Sequence, residues 1–159
     1  MTDERRFWLM KTEPDAFSID DLERKRRAPW DGVRNPQARN HMDAMKLGDL
    51  VLFYHSSCDP PGVVGIARVC AESHPDPTAF DPNSQYFDPK SKADAPRWRM
   101  VDVEFVAKLP RMVTLEALKA DPELADMVVV KRTRLSVQPV ARGHFEHVLR
   151  MGGLERVPE

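Results

Sequence analysis

The sequence predicts an α+β fold: a mixed, mainly antiparallel β barrel or curled sheet with peripheral helices. Three observations predict it. Two β-branched and aromatic runs, Leu50 to His55 and Val63 to Val69, flank the turn-rich stretch from Ser56 to Gly62, the pattern of neighbouring antiparallel strands. From Trp98 to Val106, the apolar Val101, Val103 and Phe105 alternate with Asp102 and Glu104, so one face of that strand is apolar and the other charged. Helix-start signals stand outside these runs, at Ser18, Asn35 and Thr114.

In chain order, Phe7-Trp8-Leu9-Met10 reads as an opening strand ended by Glu13-Pro14. Ser18 with Asp21 resembles a capping box and predicts a helix to about Arg26. Asn35-Pro36 pairs an N-cap residue with a proline in the first turn and predicts a second helix to about Met45, broken by Gly48-Asp49. After the two central strands, Ser73 to Pro96 carries Pro75, Pro77, Pro82, Pro89 and Pro96 among Asp, Ser and Asn residues. It reads as a long irregular excursion, a candidate lid. Thr114 caps a short helix to Lys119, Met127 to Val130 and Arg134 to Val140 read as strands, and Phe145, Val148 and Leu149 mark a final helix stopped by Gly152-Gly153.

At 159 residues, the chain has the length of one domain, taken as 1–159, and 42% hydrophobic with 31% charged residues suits a globular protein. No apolar run approaches the roughly 20 residues that cross a bilayer, and Met1 to Arg6 lacks the apolar core of a signal peptide, so a cytoplasmic monomer without a membrane partner is expected. Cys58 and Cys70 have no metal-site or C-x-x-C spacing and read as ordinary thiols. A net charge of −1 argues against coating nucleic acid by bulk electrostatics. The charge is uneven all the same. Arg24, Lys25, Arg26, Arg27, Arg34 and Arg39 face only Glu23 and Asp31 in the same stretch, and Lys131, Arg132, Arg134 and Arg142 form a second basic cluster.

The common metalloprotease, phosphate-loop, dinucleotide and serine-hydrolase strings are absent, so no metal, cofactor or catalytic residue is assigned. His55-Ser56-Ser57-Cys58-Asp59 places an imidazole, hydroxyls and a thiol side by side, but a catalytic pair must converge in space, which adjacency does not supply. The segment from Trp30 to Asn40 is different. It holds a ring that stacks on a base, arginines that bind phosphate, asparagines that match a base edge, and a helix start with open N–H groups. Core packing of Trp30 beside Val33, with the arginines paired to acids, accounts for the same residues.

Five strings arbitrate between these readings: Trp8-Leu9-Met10-Lys11-Thr12-Glu13-Pro14; Trp30-Asp31-Gly32-Val33-Arg34-Asn35 with Ala38-Arg39-Asn40; Gly48-Asp49 with Phe53-Tyr54-His55-Ser56; Pro96-Arg97-Trp98 with Met100-Val101-Asp102-Val103; and Arg134-Leu135-Ser136-Val137-Gln138-Pro139. In this order they resemble the EVE domain, a family of the PUA-like superfamily. Thr12 stands where that family commonly has Ser, and Pro36 where an aromatic or apolar residue is frequent.

The resemblance implies a PUA-like β barrel related to domains that hold methylated adenine or extruded modified cytosine in RNA or DNA, and binding rather than catalysis. On that reading Trp30 and Trp98, with Tyr54 and Phe87 behind them, are candidates to stack on the base. Asn35, Asn40, His55, Ser56, Ser136 and Gln138 are candidates for its edge, and Lys11, Arg34 and Arg39 for phosphates. Tyr54 and Trp98 lie in strand patterns that core packing explains equally well. Two rival readings stay open. One is an RNA-processing enzyme, as in the ribonuclease-like members of the similar ASCH domains, with Lys11, His55 and Arg34 as the reacting group. The other is a small-ligand sensor for a nucleoside or anionic metabolite.

Overall fold

The computed structural model describes residues 5–92, 94–131 and 134–158; Met1 to Glu4 and Arg132 therefore lie outside the described residues. β1 (Phe7–Thr12) is followed by α1 (Ile19–Lys25), a short β2 (Arg27–Pro29), α2 (Pro36–Ala44), β3 (Leu50–His55) and β4 (Gly62–Pro75). A 3-10 turn, Pro77–Phe80, opens the irregular excursion, which returns into β5 (Arg99–Thr114). Then come α3 (Leu115–Ala120), α4 (Val128–Lys131), β6 (Val137–Val140) and α5 (Arg142–Met151). The strands form one sheet of order β2-β5-β4-β3-β1-β6, in which only β1 with β3 is parallel.

The predicted mixed, mainly antiparallel α+β fold is therefore present, with one correction: the sheet does not close into a barrel. Its edge strands give a reason, since β2 is three residues long and ends on Pro29, and the four-residue β6 contains Pro139. Proline has no N–H to continue a ladder and belongs at a sheet edge. Met127 to Val130 is also corrected. It is not a strand: Val128–Lys131 forms a helical turn whose Val129 packs into the core. The strand expected from Arg134 begins only at Val137, β4 runs on through Ser73 to Pro75 where the excursion was expected to start, and β2 was not anticipated.

Alternation along the central strands sends side chains to two cores. Trp8, Met10, Val51 and Phe53 pack beneath α1 and α2 with Leu22, Ala38 and Met42; Phe7, Leu9, Leu50, Leu52 and Tyr54 pack against Leu118, Val129, Phe145 and Val148 on the other face. The helices form where their caps stand: Ser18 and Asp21 make the reciprocal box, and the side chains of Asn35 and Thr114 accept from the N–H groups of Ala38 and Ala117. α1 lies close on the sheet because Gly65 leaves room for Ile19; a Cβ there would stand 2.7 Å from Ile19 Cδ1. Among the described residues no helix is long and apolar enough to cross a membrane.

Candidate functional site

A cavity of about 830 Å³ opens where the C-terminal ends of the parallel strands β1 and β3 meet the start of β6. Backbone bonds hold these ends together: the Lys11 N–H donates to the Ser136 carbonyl (2.8 Å) and the Ser56 N–H to the Thr12 carbonyl (2.9 Å). The aromatic wall is Phe17 and Trp30. Both rings stand edge to face, 6.4 Å apart at 88°, and Phe53 backs Trp30 at 5.5 Å and 89°. Trp30 is fixed by its own N–H donating to the Val101 carbonyl at 2.8 Å. The hydroxyl-bearing Thr12, Ser56, Ser57 and Ser136 also line the cavity.

The excursion supplies the rim. Gly32 has φ +80°, and the Tyr86 ring lies so close that a Cβ on Gly32 would stand 2.6 Å from its Cζ. Arg34 reaches over that ring: its Nε and Nη2 donate to the Tyr86 carbonyl (3.0 and 2.7 Å), and its Nη1 meets the fully buried Asp76 carboxylate at 3.0 Å. Asp76 also accepts from the Gly32 N–H and from Thr78. Burial pushes the Asp76 carboxyl up, but these hydrogen bonds outweigh it and hold the group below the ordinary carboxylate range. Asp31, also on the cavity wall, is raised, by burial first and by the Asp76 charge second. Burial lowers the Lys11 ammonium, which sits 5.4 Å from the Tyr54 ring centroid.

Of the residues singled out from the sequence, Lys11, Trp30, Arg34, Ser56 and Ser136 line this cavity. Arg34 does so as a clamp on Asp76 and Tyr86 rather than as an open phosphate ligand. The others stand elsewhere. Asn35 is the α2 N-cap, and the exposed Asn40 accepts from Arg39. Tyr54 belongs to the core on the far face of the sheet, because it is one residue out of phase with Phe53. His55 accepts from the Ile19 N–H through Nε2 at 3.1 Å, and burial lowers its pKa. Phe87 is 39% exposed, one residue beyond the Tyr86 that does meet the cavity. Trp98 donates to Asp88 at 2.7 Å beneath the guanidinium groups of Arg34 and Arg39, and Arg39 also donates to the Arg97 carbonyl. The buried Gln138 donates to the Leu135 carbonyl at 2.7 Å.

Phe17, Lys25, Asp31, Tyr86 and Arg134 are among the lining residues that were not nominated. Phe17 carried a signal, as the apolar residue before the Ser18 cap. Lys25 and Arg134, like Arg34, belonged to the two basic clusters; of the other described members, Arg24 pairs with Asp21, Arg26 lies over Phe105 and Lys131 pairs with Asp126. The His55 to Asp59 run forms no nucleophile pair: His55 faces α1, while the Cys58 thiol donates to the Pro60 carbonyl and is raised by burial.

The open six-stranded sheet, with helices on both faces and a cavity beside the ends of its parallel strands, is a PUA-like fold. The YTH domain of Zygosaccharomyces rouxii MRB1 protein, in complex with N6-methyladenosine RNA, shares it with a TM-score of 0.54 at 14% identity, a likeness of fold alone. The chain belongs to the EVE domain family, whose model matches residues 6–151. It is 44% identical over 162 residues to mouse thymocyte nuclear protein 1, covering 90% of this chain and 72% of that protein. A hypothetical protein from Leishmania major superposes with a TM-score of 0.92 at 48% identity, over 96% of this chain and 97% of the other. The human THYN1 protein in complex with 5-methylcytosine containing DNA superposes with a TM-score of 0.90 at 42% identity, over 96% and 99%.

Proposed function

We propose that this chain is a non-catalytic reader that takes one extruded base of a nucleic acid, a modified one, into the cavity walled by Phe17 and Trp30. The observation that carries the reading is the composition of that wall: the aromatic pair shares it with the hydroxyl-bearing Thr12, Ser56, Ser57 and Ser136 and with Lys25 and Arg134, while Arg34 is matched by Asp76. Stacking contributes about 1–3 kcal/mol per base, close to the few kcal/mol that extrusion costs, so the polar wall must supply net affinity and selectivity. Ser56, Ser57, Ser136 and Thr12, whose hydroxyls can both donate and accept, are suited to the base edge. The human relative solved with 5-methylcytosine DNA supports modified cytosine in DNA as the first ligand to try. Binding without cleavage fits the placement of His55 and Arg34, each held by other partners away from a common point.

The test is binding of single-stranded and duplex oligonucleotides carrying cytosine, methylcytosine, hydroxymethylcytosine or methyladenine, and of the free nucleosides. The expected result is a preference of about tenfold or more for one modified base within an oligonucleotide, the size that one lost apolar or polar contact produces. It should be lost in Ser136→Ala at unchanged melting temperature, and in Trp30→Phe, where trimming a buried ring also lowers the melting temperature. Equal binding of all oligonucleotides would end the reader proposal. Strand cleavage that disappears in His55→Ala would replace it with the ribonuclease reading, and tight binding of a free nucleoside with no gain from flanking phosphates would replace it with the small-ligand sensor.

A further inference from the structure

A second cavity, of about 350 Å³, lies at the opposite end of the β1/β6 edge, and the charged residues that line it are Arg5, Arg6 and Arg142. Phe7 forms its base, with the Arg5 and Arg142 guanidinium carbons 5.8 and 5.5 Å from the ring centroid on that surface, and Pro139 of β6 closes one side. α5 begins here at Arg142, so the positive end of its dipole adds to the same field. Acids stand nearby. Asp49 is buried, with its oxygens accepting from the Arg6 N–H, the Trp8 indole and the Lys46 N–H, and Glu146 stands 3.5 Å from Arg142 on the exposed face of α5. Three guanidinium groups around a ring-floored hollow form a geometry for a phosphate, which accepts forked N–H donors.

Resting on the reading of the first cavity as a base pocket, we infer that this arginine hollow is a second subsite of the same interface, holding a backbone phosphate of the strand whose base occupies the first cavity. β1 connects the two: from Arg6 to Lys11 and Thr12 is about 20 Å of extended strand at roughly 3.3 Å per residue. A stacked nucleic-acid strand advances about 3.4 Å per nucleotide, so the phosphate lies about six nucleotides from the held base. Its path follows the β6 edge, whose Pro139 is exposed and offers no N–H for another strand to pair with.

The experiment compares wild type with the double variant Arg6→Gln, Arg142→Gln, both exposed positions, on oligonucleotides whose flanks extend about two or about eight nucleotides from a central base, modified or unmodified, at several salt concentrations. The expected result is that wild type gains at least about fivefold in affinity from the longer flank, and that the variant loses this gain, together with about one to two phosphates from the salt slope, while binding the short oligonucleotide as before. Because the length and salt effects are read on the unmodified oligonucleotide as well, they survive there even if no base preference is found, so the two readings fail separately. An unchanged length dependence in the variant overturns the inference. So does an equal loss on short and long oligonucleotides, which would mark the arginines as general surface charge, or a lowered melting temperature that accounts for the loss in place of the missing guanidinium groups.

Discussion

At the residue scale, the same types that suggest recognition also build structure, and partners decide between the two. Asn35 and Arg34 are adjacent and were both plausible ligands; Asn35 satisfies an N–H at the start of α2, while Arg34 is held by a buried carboxylate, a carbonyl and a hydroxyl. Gly32 is the residue on which the cavity rim turns, because both its positive φ and the closeness of Tyr86 exclude a side chain. Gly32→Ala is expected to cost about 1–3 kcal/mol in urea unfolding, the range for a non-glycine residue forced into a sparse backbone region. Wild-type stability in that variant would remove this account of the rim.

At the element scale, α1 borders the cavity and is tied to the sheet through its first residue. It carries Lys25, follows Phe17, and takes a hydrogen bond to its first residue from outside itself, the Ile19 N–H donating to His55. Only the neutral imidazole accepts there, and burial lowers its pKa below the ordinary value of about 6.5. With the folded value depressed, the neutral ring's contribution is full above about pH 6.5 and is lost as pH falls through the lower folded value. The protection of the α1 amides against hydrogen exchange, taken relative to the intrinsic rate at each pH, should therefore fall as pH drops below about 6.5 in wild type. His41 is lowered too, so the control is His55→Gln, whose amide oxygen accepts without titrating. Equal acid sensitivity in that variant would show that the effect belongs elsewhere.

At the scale of the whole molecule, the excursion between β4 and β5 is part of the site, bound to it across more than forty residues of sequence by Asp76. This carboxylate, with 0% side-chain exposure, ties Gly32, Arg34 and Thr78 together, and the Asp76 N–H donates to the Trp98 carbonyl at the far end of the excursion. Removing one partner of a buried ion pair strands the other, at about 3–5 kcal/mol. Asp76→Ala should lose stability of that order and raise proteolytic cleavage between 81 and 97. Cleavage unchanged from wild type would mean that the excursion is held by other contacts.

Much was legible in the sequence because it depends on neighbours in the chain. Caps at Ser18, Asn35 and Thr114, the alternation of Val101 and Val103, and the turn at Gly48 are local in cause, so the elements and the mixed α+β class followed from reading along the chain. The EVE strings likewise located Trp30, Lys11 and Ser136. Strand length, edge position and phase were not local. Four residues from Val128 are helical because of what they pack against, and Tyr54 faces away from the cavity because one step along a strand changes its side. The sequence by itself determined most of the helices and strands and the EVE family of the chain. Only the tertiary structure decided that the sheet stays open, that Tyr86 rather than Phe87 meets the cavity, and that Arg34 is a clamp, because each depends on which distant groups reach the same point in space.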